Sequence, residues 1–143
     1  MNRVELLSFL RHHQLCVQST VTSTGAPQAA VIGYAVSDDL ELVFDTLGST
    51  RKAQNLRRDP RVALVIGWDD DQTVQVEGIA DELSGEELTR LKQVYFAAFP
   101  DGVERQAWPD IAYFRIRAHW ARYSDFRPGG SVTELDEPAL RQR

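Results

Sequence analysis

The chain has one cysteine, Cys16, so no disulfide can form within it. A lone thiol fits a reducing compartment. There is no apolar run near the roughly 20 residues that span a bilayer. The first residues mix Glu5, Arg11, His12 and His13 with apolar side chains, unlike a secretory leader. These absences together predict a cytoplasmic protein. An excess of positive charge is missing too: 16 Lys and Arg against 21 Asp and Glu give a net charge of −5. That argues against a general nucleic-acid binder, which needs a basic face. No G-x-x-x-x-G-K-[ST] occurs, and no G-x-G-x-x-G, so neither a P-loop nor a Rossmann nucleotide site is indicated. His12, His13 and His119 have no Cys or carboxylate beside them at metal-ligand spacing. Asp69, Asp70 and Asp71 lack the alternating ligands of a calcium loop and read as a solvated turn. No Ser-His-Asp set or carboxylate pair can be assembled, which leaves any redox chemistry to a cofactor.

What is present is an ordinary soluble profile of 143 residues, 43% of them hydrophobic, enough for one domain with a proper core. Val4, Leu7, Phe9 and Leu10 follow helical spacing and predict a helix over 3–13. "LCVQSTVT" alternates, with Leu15, Val17 and Val21 on one face and Cys16 on the other. "STGAP" is a turn. "QAAVIGYAV" is nearly continuous in apolar residues and predicts a strand covered on both faces. "LELVFD", "RVALVIGW" and "TVQVEGIADEL" are three further strands. Ser84 and Glu87 form an S-x-x-E capping box before a helix whose face runs Leu88, Leu91, Tyr95, Ala98. "IAYFRIR" and "HWARYSD" read as two last strands with a break near Ala118. Residues 127–143 are rich in Pro, Gly and charge and predict an extended tail after a domain of residues 1–126. Tight turns between neighbours imply antiparallel pairing. The fold class is therefore mainly β with flanking helices, a small barrel of about six to seven strands.

One stretch, "DTLGSTRKAQNLRRDP", places its charges oddly. Ser49 or Thr50 can cap a helix that Pro60 ends. Yet the first turn carries Arg51 and Lys52, and cations there cost a few tenths of a kcal/mol each. From the pattern alone two readings stand. The pair is either solvated surface charge or part of an anion site, in which open N–H groups, two hydroxyls and two cations hold a phosphate. A charge-assisted hydrogen bond to phosphate contributes roughly 1.5–3 kcal/mol, more than the dipole cost. Arg57 and Arg58 lie in the last turn, where cations need no ligand.

The ordered set "LELVFDT", "STRK", "NLRRDPRVALVI" and "TVQVEGIA" resembles the FMN-binding split-barrel family related to pyridoxamine 5′-phosphate oxidase, over about residues 4–126. The resemblance implies a homodimer with FMN at the subunit interface. It implies a flavin-dependent oxidoreductase, in which hydride passes from NAD(P)H or a small organic substrate to flavin N5. A non-catalytic flavin carrier or sensor, and a protein using F420 or haem, are the alternatives within the same family. By position, Arg51 and Lys52 correspond to the phosphate clamp, with Ser49 and Thr50 beside them. Asp45 and Thr46 correspond to a strand-end pair facing the flavin ring or ribityl chain. The backbone of Ala30, Val31 and Ile32 corresponds to the strand along the ring's edge, and Thr73 stands where the oxidase has a Gln. Ala30 replaces a frequent Arg, and "SDFRPGGSV" replaces the oxidase's Arg-Leu-His-Asp-Arg-like run, so the resemblance is to shorter relatives. Trp108, Trp120, Tyr123 and Phe126 are read as core or dimer contacts, with one of them, Trp108 first, able to cover the flavin of a partner chain.

Overall fold

In the computed structural model, residues 1–142 are described. Asn2 starts α1 (Arg3–Arg11) with a true capping box: its side chain accepts from the Glu5 amide, and Glu5 reaches back to the Asn2 amide. Leu6 and Leu10 turn inward from this helix. Then follow β1 (Leu15–Val21), β2 (Pro27–Gly33), β3 (Ala35–Val36), β4 (Glu41–Leu47), α2 (Arg51–Arg58), β5 (Arg61–Ile66) and β6 (Gln72–Glu82). The chain continues through α3 (Gly85–Ala98), α4 (Gly102–Arg105), β7 (Ile111–Asp125), β8 (Val132–Asp136) and α5 (Glu137–Arg141).

The sheet runs β2-β1-β5-β6-β7-β4-β3, with β8 added to β7, and every pairing is antiparallel. The mainly β barrel architecture is the one the sequence predicts. Its closure is covalent. β2 begins the path and β3 ends it, yet they are two halves of residues 27–36, broken at Tyr34. Tyr34 is buried, its amide bonded to the Gln14 carbonyl at 3.0 Å and its hydroxyl donating to the Leu10 carbonyl at 2.6 Å. The uniform apolar strand expected over 28–36 is thus corrected. Only its second half is covered; Ala29 and Val31 are exposed, the latter 61%.

Strand β7 is a second correction. The expected break near Ala118 is a bulge in one 15-residue strand. Gly78 pairs with Ala118 and Glu77 with Trp120, leaving His119 without a partner across the ladder. A Cβ on Gly78 would lie 2.5 Å from the Arg117 carbonyl oxygen, so a side chain cannot fit at the bulge. The bend lets β7 serve β4 with its first half and β8 with its second.

Residues 127–143 do not form an extended tail as far as they are described. Asp136 caps α5 through its bond to the Ala139 amide, and Leu135 and Leu140 are buried in the main core beside Leu6 and Leu10. The composition marked only the loop at 127–131; the alternation in "VTELD" and the Asp-x-Pro start carried the structure. Ser84 does precede α3, but its side chain makes no capping bond, and the Glu87 carboxylate accepts from Arg90 at 2.8 Å rather than from the Ser84 amide. Leu91 and Tyr95 of α3 pack on Ala35, Val43 and Tyr113, a second cluster on the outer face of β3, β4 and β7.

Strand β1 is patterned inside out. Cys16, Gln18 and Thr20 point inward and are buried, while Leu15, Val17 and Val21 form the outer face, with Leu15 half exposed. Burial alone pushes the Cys16 thiol up to about 12, which leaves it inert.

Candidate functional site

The turn after β4 delivers the start of α2 beneath the polar row of β1. Thr50 is the N-cap; its hydroxyl accepts from the Ala53 amide at 3.3 Å and lies 2.9 Å from the Thr46 hydroxyl. The first turn contains no acidic residue. Among the described residues, the amides of Arg51 and Lys52 have no acceptor, and neither side chain has an ion-pair partner. The last-turn cations are engaged differently. Arg57 pairs with Glu82 at 2.7 Å and donates to the Gly48 carbonyl, and Arg58 donates to Asn55 Oδ1 at 3.0 Å.

Asn55 organises the floor. It is 4% exposed, and its Nδ2 donates to Thr20 Oγ1 at 3.0 Å and Gln28 Oε1 at 2.6 Å. Thr20 and Gln28 are cross-strand partners on β1 and β2. The far side of the Gln28 amide faces the Arg51 guanidinium; with the amide turned over, its oxygen accepts from Arg51 Nε and Nη1 at 2.7 Å in place of accepting from Asn55. One helix, one strand and one edge strand are thereby tied around a cleft of about 490 Å³, lined by Gln18, Thr20, Gln28, Ala29, Ala30, Ser49, Thr50, Arg51 and Lys52. That volume lies within the usual roughly 300–1,000 Å³ of small-molecule sites.

Of the positions singled out in the sequence, Ser49, Thr50, Arg51, Lys52 and Ala30 line this cleft, and Thr46 stands behind Thr50. Val31 points to the outer face and Ile32 into the core. As the terminal strand of the sheet path, β2 pairs only with β1, so its other main-chain edge is unpaired among the described residues. Asp45 is not in the cleft. Its carboxylate accepts from the Tyr95 hydroxyl and from Arg105 Nε, both at 2.8 Å, and so braces α3 and α4 against β4. Burial and this carboxylate push the Tyr95 hydroxyl above its usual range. Thr73 pairs with Ser124 at the far end of β6, outside the cleft. Trp108 and Phe126 are exposed, Trp120 lies beside Arg122, and Tyr123 donates to Gln72; none of the four lines the cleft.

Sequence reasoning missed Gln18, Thr20, Gln28, Ala29 and Asn55. The signal for Gln18 and Thr20 was their shared parity with the buried Cys16. Asn55 stands inside the Asn-Leu motif already singled out. Gln18 has a further property: it is 2% exposed, and neither Oε1 nor Nε2 has a hydrogen-bond partner among the described residues.

Among the described residues, no group of three or more His, Cys, Asp or Glu is placed to hold a metal. No described helix is long and apolar enough to cross a membrane.

A family model described as pyridoxamine 5′-phosphate oxidase matches residues 4–125. The pyridoxine/pyridoxamine 5′-phosphate oxidase of Rubrobacter xylanophilus is 36% identical over 93 residues, 64% of this chain and 41% of that one. The chain therefore matches less than half the length of this curated relative. Among solved structures, a heme binding protein from Mycobacterium smegmatis superposes with a TM-score of 0.85 at 18% identity, covering 97% of this chain and 59% of that one. An FAD-binding protein from Mesorhizobium loti gives 0.71 at 17% identity, covering 86% and 92%. At such identities these two structures speak to the fold.

Proposed function

Because the chain belongs to the pyridoxamine 5′-phosphate oxidase family, we propose that its cleft binds FMN by the phosphate and that the protein is a flavin-dependent oxidoreductase acting as a homodimer. The observation that carries this reading is the start of α2, where two unpaired cations, two hydroxyls and two open amides converge on one cleft. A phosphate there turns the unfavourable first-turn cations into partners. The residues fit the rest of the group as well. The orphaned Gln18 amide can pair with a polar ligand atom, and Ala30 opposite it leaves space for one. The lining holds two cations and two hydroxyls suited to a phosphate, and no His, Cys or Met.

Bound FMN would supply reversible electron and hydride chemistry. The chain's own part is binding and placement. Arg51 and Lys52 would hold the phosphate charge, Ser49 and the open amides would donate to its oxygens, Thr50, whose hydroxyl donates to the Leu47 carbonyl, would cap the helix, and Asn55 would keep Gln28 and Thr20 in position. A reduced nicotinamide or small organic molecule is the proposed electron donor. Steady-state NAD(P)H oxidation separates an enzyme from a carrier that only binds flavin.

The inside-out β1 supports the proposal of a second copy of the chain. Leu15, Val31 and Val65 are 50%, 61% and 38% exposed on one outer sheet face. Val17 pairs with both Val31 and Val65, so the patch is continuous. Ala29 of the same β2 lines the cleft, so a copy packed on this face would also roof the ligand.

Titration by flavin fluorescence tests the site. FMN should bind at least about tenfold more tightly than riboflavin, since two charge-assisted contacts are lost with the phosphate. Arg51→Ala and Lys52→Ala should each weaken FMN by about tenfold or more, one lost contact apiece. Arg11→Ala, remote from the cleft and paired with Asp38, should change nothing. Equal affinity for FMN and riboflavin would sink the phosphate assignment.

A further inference from the structure

Gln18 stands one layer deeper in the barrel than the residues that surround the proposed phosphate. Along β1 the inward row is Cys16, Gln18, Thr20. Thr20 shares a layer with Gln28, which meets Arg51. Gln18 shares the next layer with Ala30, whose methyl offers it no polar contact. Two residues of strand separate these layers by about 6.6 Å. The amide is 2% exposed and lines the cleft, with its donor and its acceptor both unpartnered among the described residues. A buried amide in that condition is costly unless something satisfies it.

We infer that Gln18 is a ligand-reading residue, and that it hydrogen-bonds a hydroxylated chain carrying the phosphate. The inference rests on the proposed flavin-phosphate reading and deepens it. An amide offers one donating and one accepting end side by side. A hydroxyl both donates and accepts, so vicinal hydroxyls on a short chain match it, whereas an apolar ring would leave it orphaned. The distance between layers suits a polyol chain that starts at the phosphate. The ribityl chain of a flavin and the backbone of a free sugar phosphate share this chemistry.

The test uses Gln18→Leu and Gln18→Met in the full chain, with FMN, riboflavin, lumiflavin and ribose 5-phosphate as probes. Lumiflavin keeps the ring and lacks the hydroxylated chain. Both variants should raise the thermal midpoint of the ligand-free protein, because an orphaned buried amide is removed. Both should weaken FMN and riboflavin in parallel by about tenfold, and leave lumiflavin unchanged. Arg51→Ala, by contrast, should weaken FMN alone. Weaker displacement of FMN by ribose 5-phosphate in both variants would extend the role to free sugar phosphates; unchanged displacement would assign it to the flavin chain. A raised midpoint with unchanged riboflavin affinity would overturn the inference and make Gln18 a core residue only. Equal losses for lumiflavin and riboflavin would overturn it as well, since the contact would then be to the ring. If the wild-type protein binds neither FMN nor riboflavin, the flavin reading itself fails, a result distinct from both.

Discussion

At the scale of single residues, the most heavily engaged charge lies away from the cleft. Glu41 is 7% exposed and accepts from Arg90 at 2.9 and 2.8 Å, from Ser37 at 2.9 Å and from Arg115 at 3.0 Å. Arg115 also pairs with Asp81, so β4, α3, β7 and β6 meet at one ionic knot. The Arg90 bonds lead in holding the Glu41 carboxyl down at about 2, with Ser37 and Arg115 adding to them. A carboxylate lowered in the folded state contributes stability that is complete above its unfolded value and is lost as pH falls through the folded one. The window is therefore about pH 5 down to pH 2, and the effect is roughly 3 kcal/mol. Urea unfolding across that window should show wild type losing this increment. Glu41→Gln should begin about 2–4 kcal/mol less stable at neutral pH, because Arg90 and Arg115 lose a buried partner. Its stability should then fall less steeply with acid.

Among the elements, β7 is where a single atom decides the shape. Gly78→Ala would drive a methyl into the Arg117 carbonyl and either flatten the bulge or push the strands apart. We expect a loss of about 2–4 kcal/mol by denaturant unfolding, at the large end of single-substitution effects. Gly25→Ala, at a φ of +86° but with nothing within 4 Å, should cost less. Periodicity made β5, β6 and α3 legible, because each buries one face; β4, buried on both faces over Glu41 to Phe44, was legible from its β-branched and aromatic residues between turns. Periodicity gave no clue to the bulge, since an extra residue in a ladder leaves the local pattern apolar on either side. It also misread residues 132–142 in kind, because loop-rich composition outweighed the alternation of Val132 to Asp136. In the candidate site, the helix start was legible through its misplaced charges. The floor was not: Gln18 and Thr20 look like the wet face of a strand until their neighbours across the barrel are known. Asp45 was misplaced for the opposite reason. It stands next to Thr46 in sequence, but on a strand adjacent side chains face opposite ways, and its own side meets Arg105.

For the whole molecule, the unsettled surface is the outer face of β1, β2 and β5. A single barrel filled by its own side chains has no room inside for a ring system, so the flavin reading needs cover from outside. Val31→Asp places a charge at the centre of that face. Sedimentation over a dilution series should show wild-type dimer and variant monomer, with FMN affinity falling alongside. A wild-type monomer that keeps full FMN affinity at nanomolar concentration would overturn the shared-site reading. Val103→Asp, an exposed apolar residue on α4 rather than on the sheet face, should leave both properties unchanged.

The closure at Tyr34 has a consequence for how the molecule opens. Residues 27–36 seal two seams, to β1 on one side and to β4 on the other. Detaching either half pulls on the same short segment and on the Tyr34–Leu10 clasp at its middle. Fraying of the unpaired outer edge of β2 is therefore passed to β3 and β4 through the same short segment. On the proposed flavin reading, cofactor release and local opening of β2 beside the patch beneath α3 should be coupled, which hydrogen exchange with and without FMN measures.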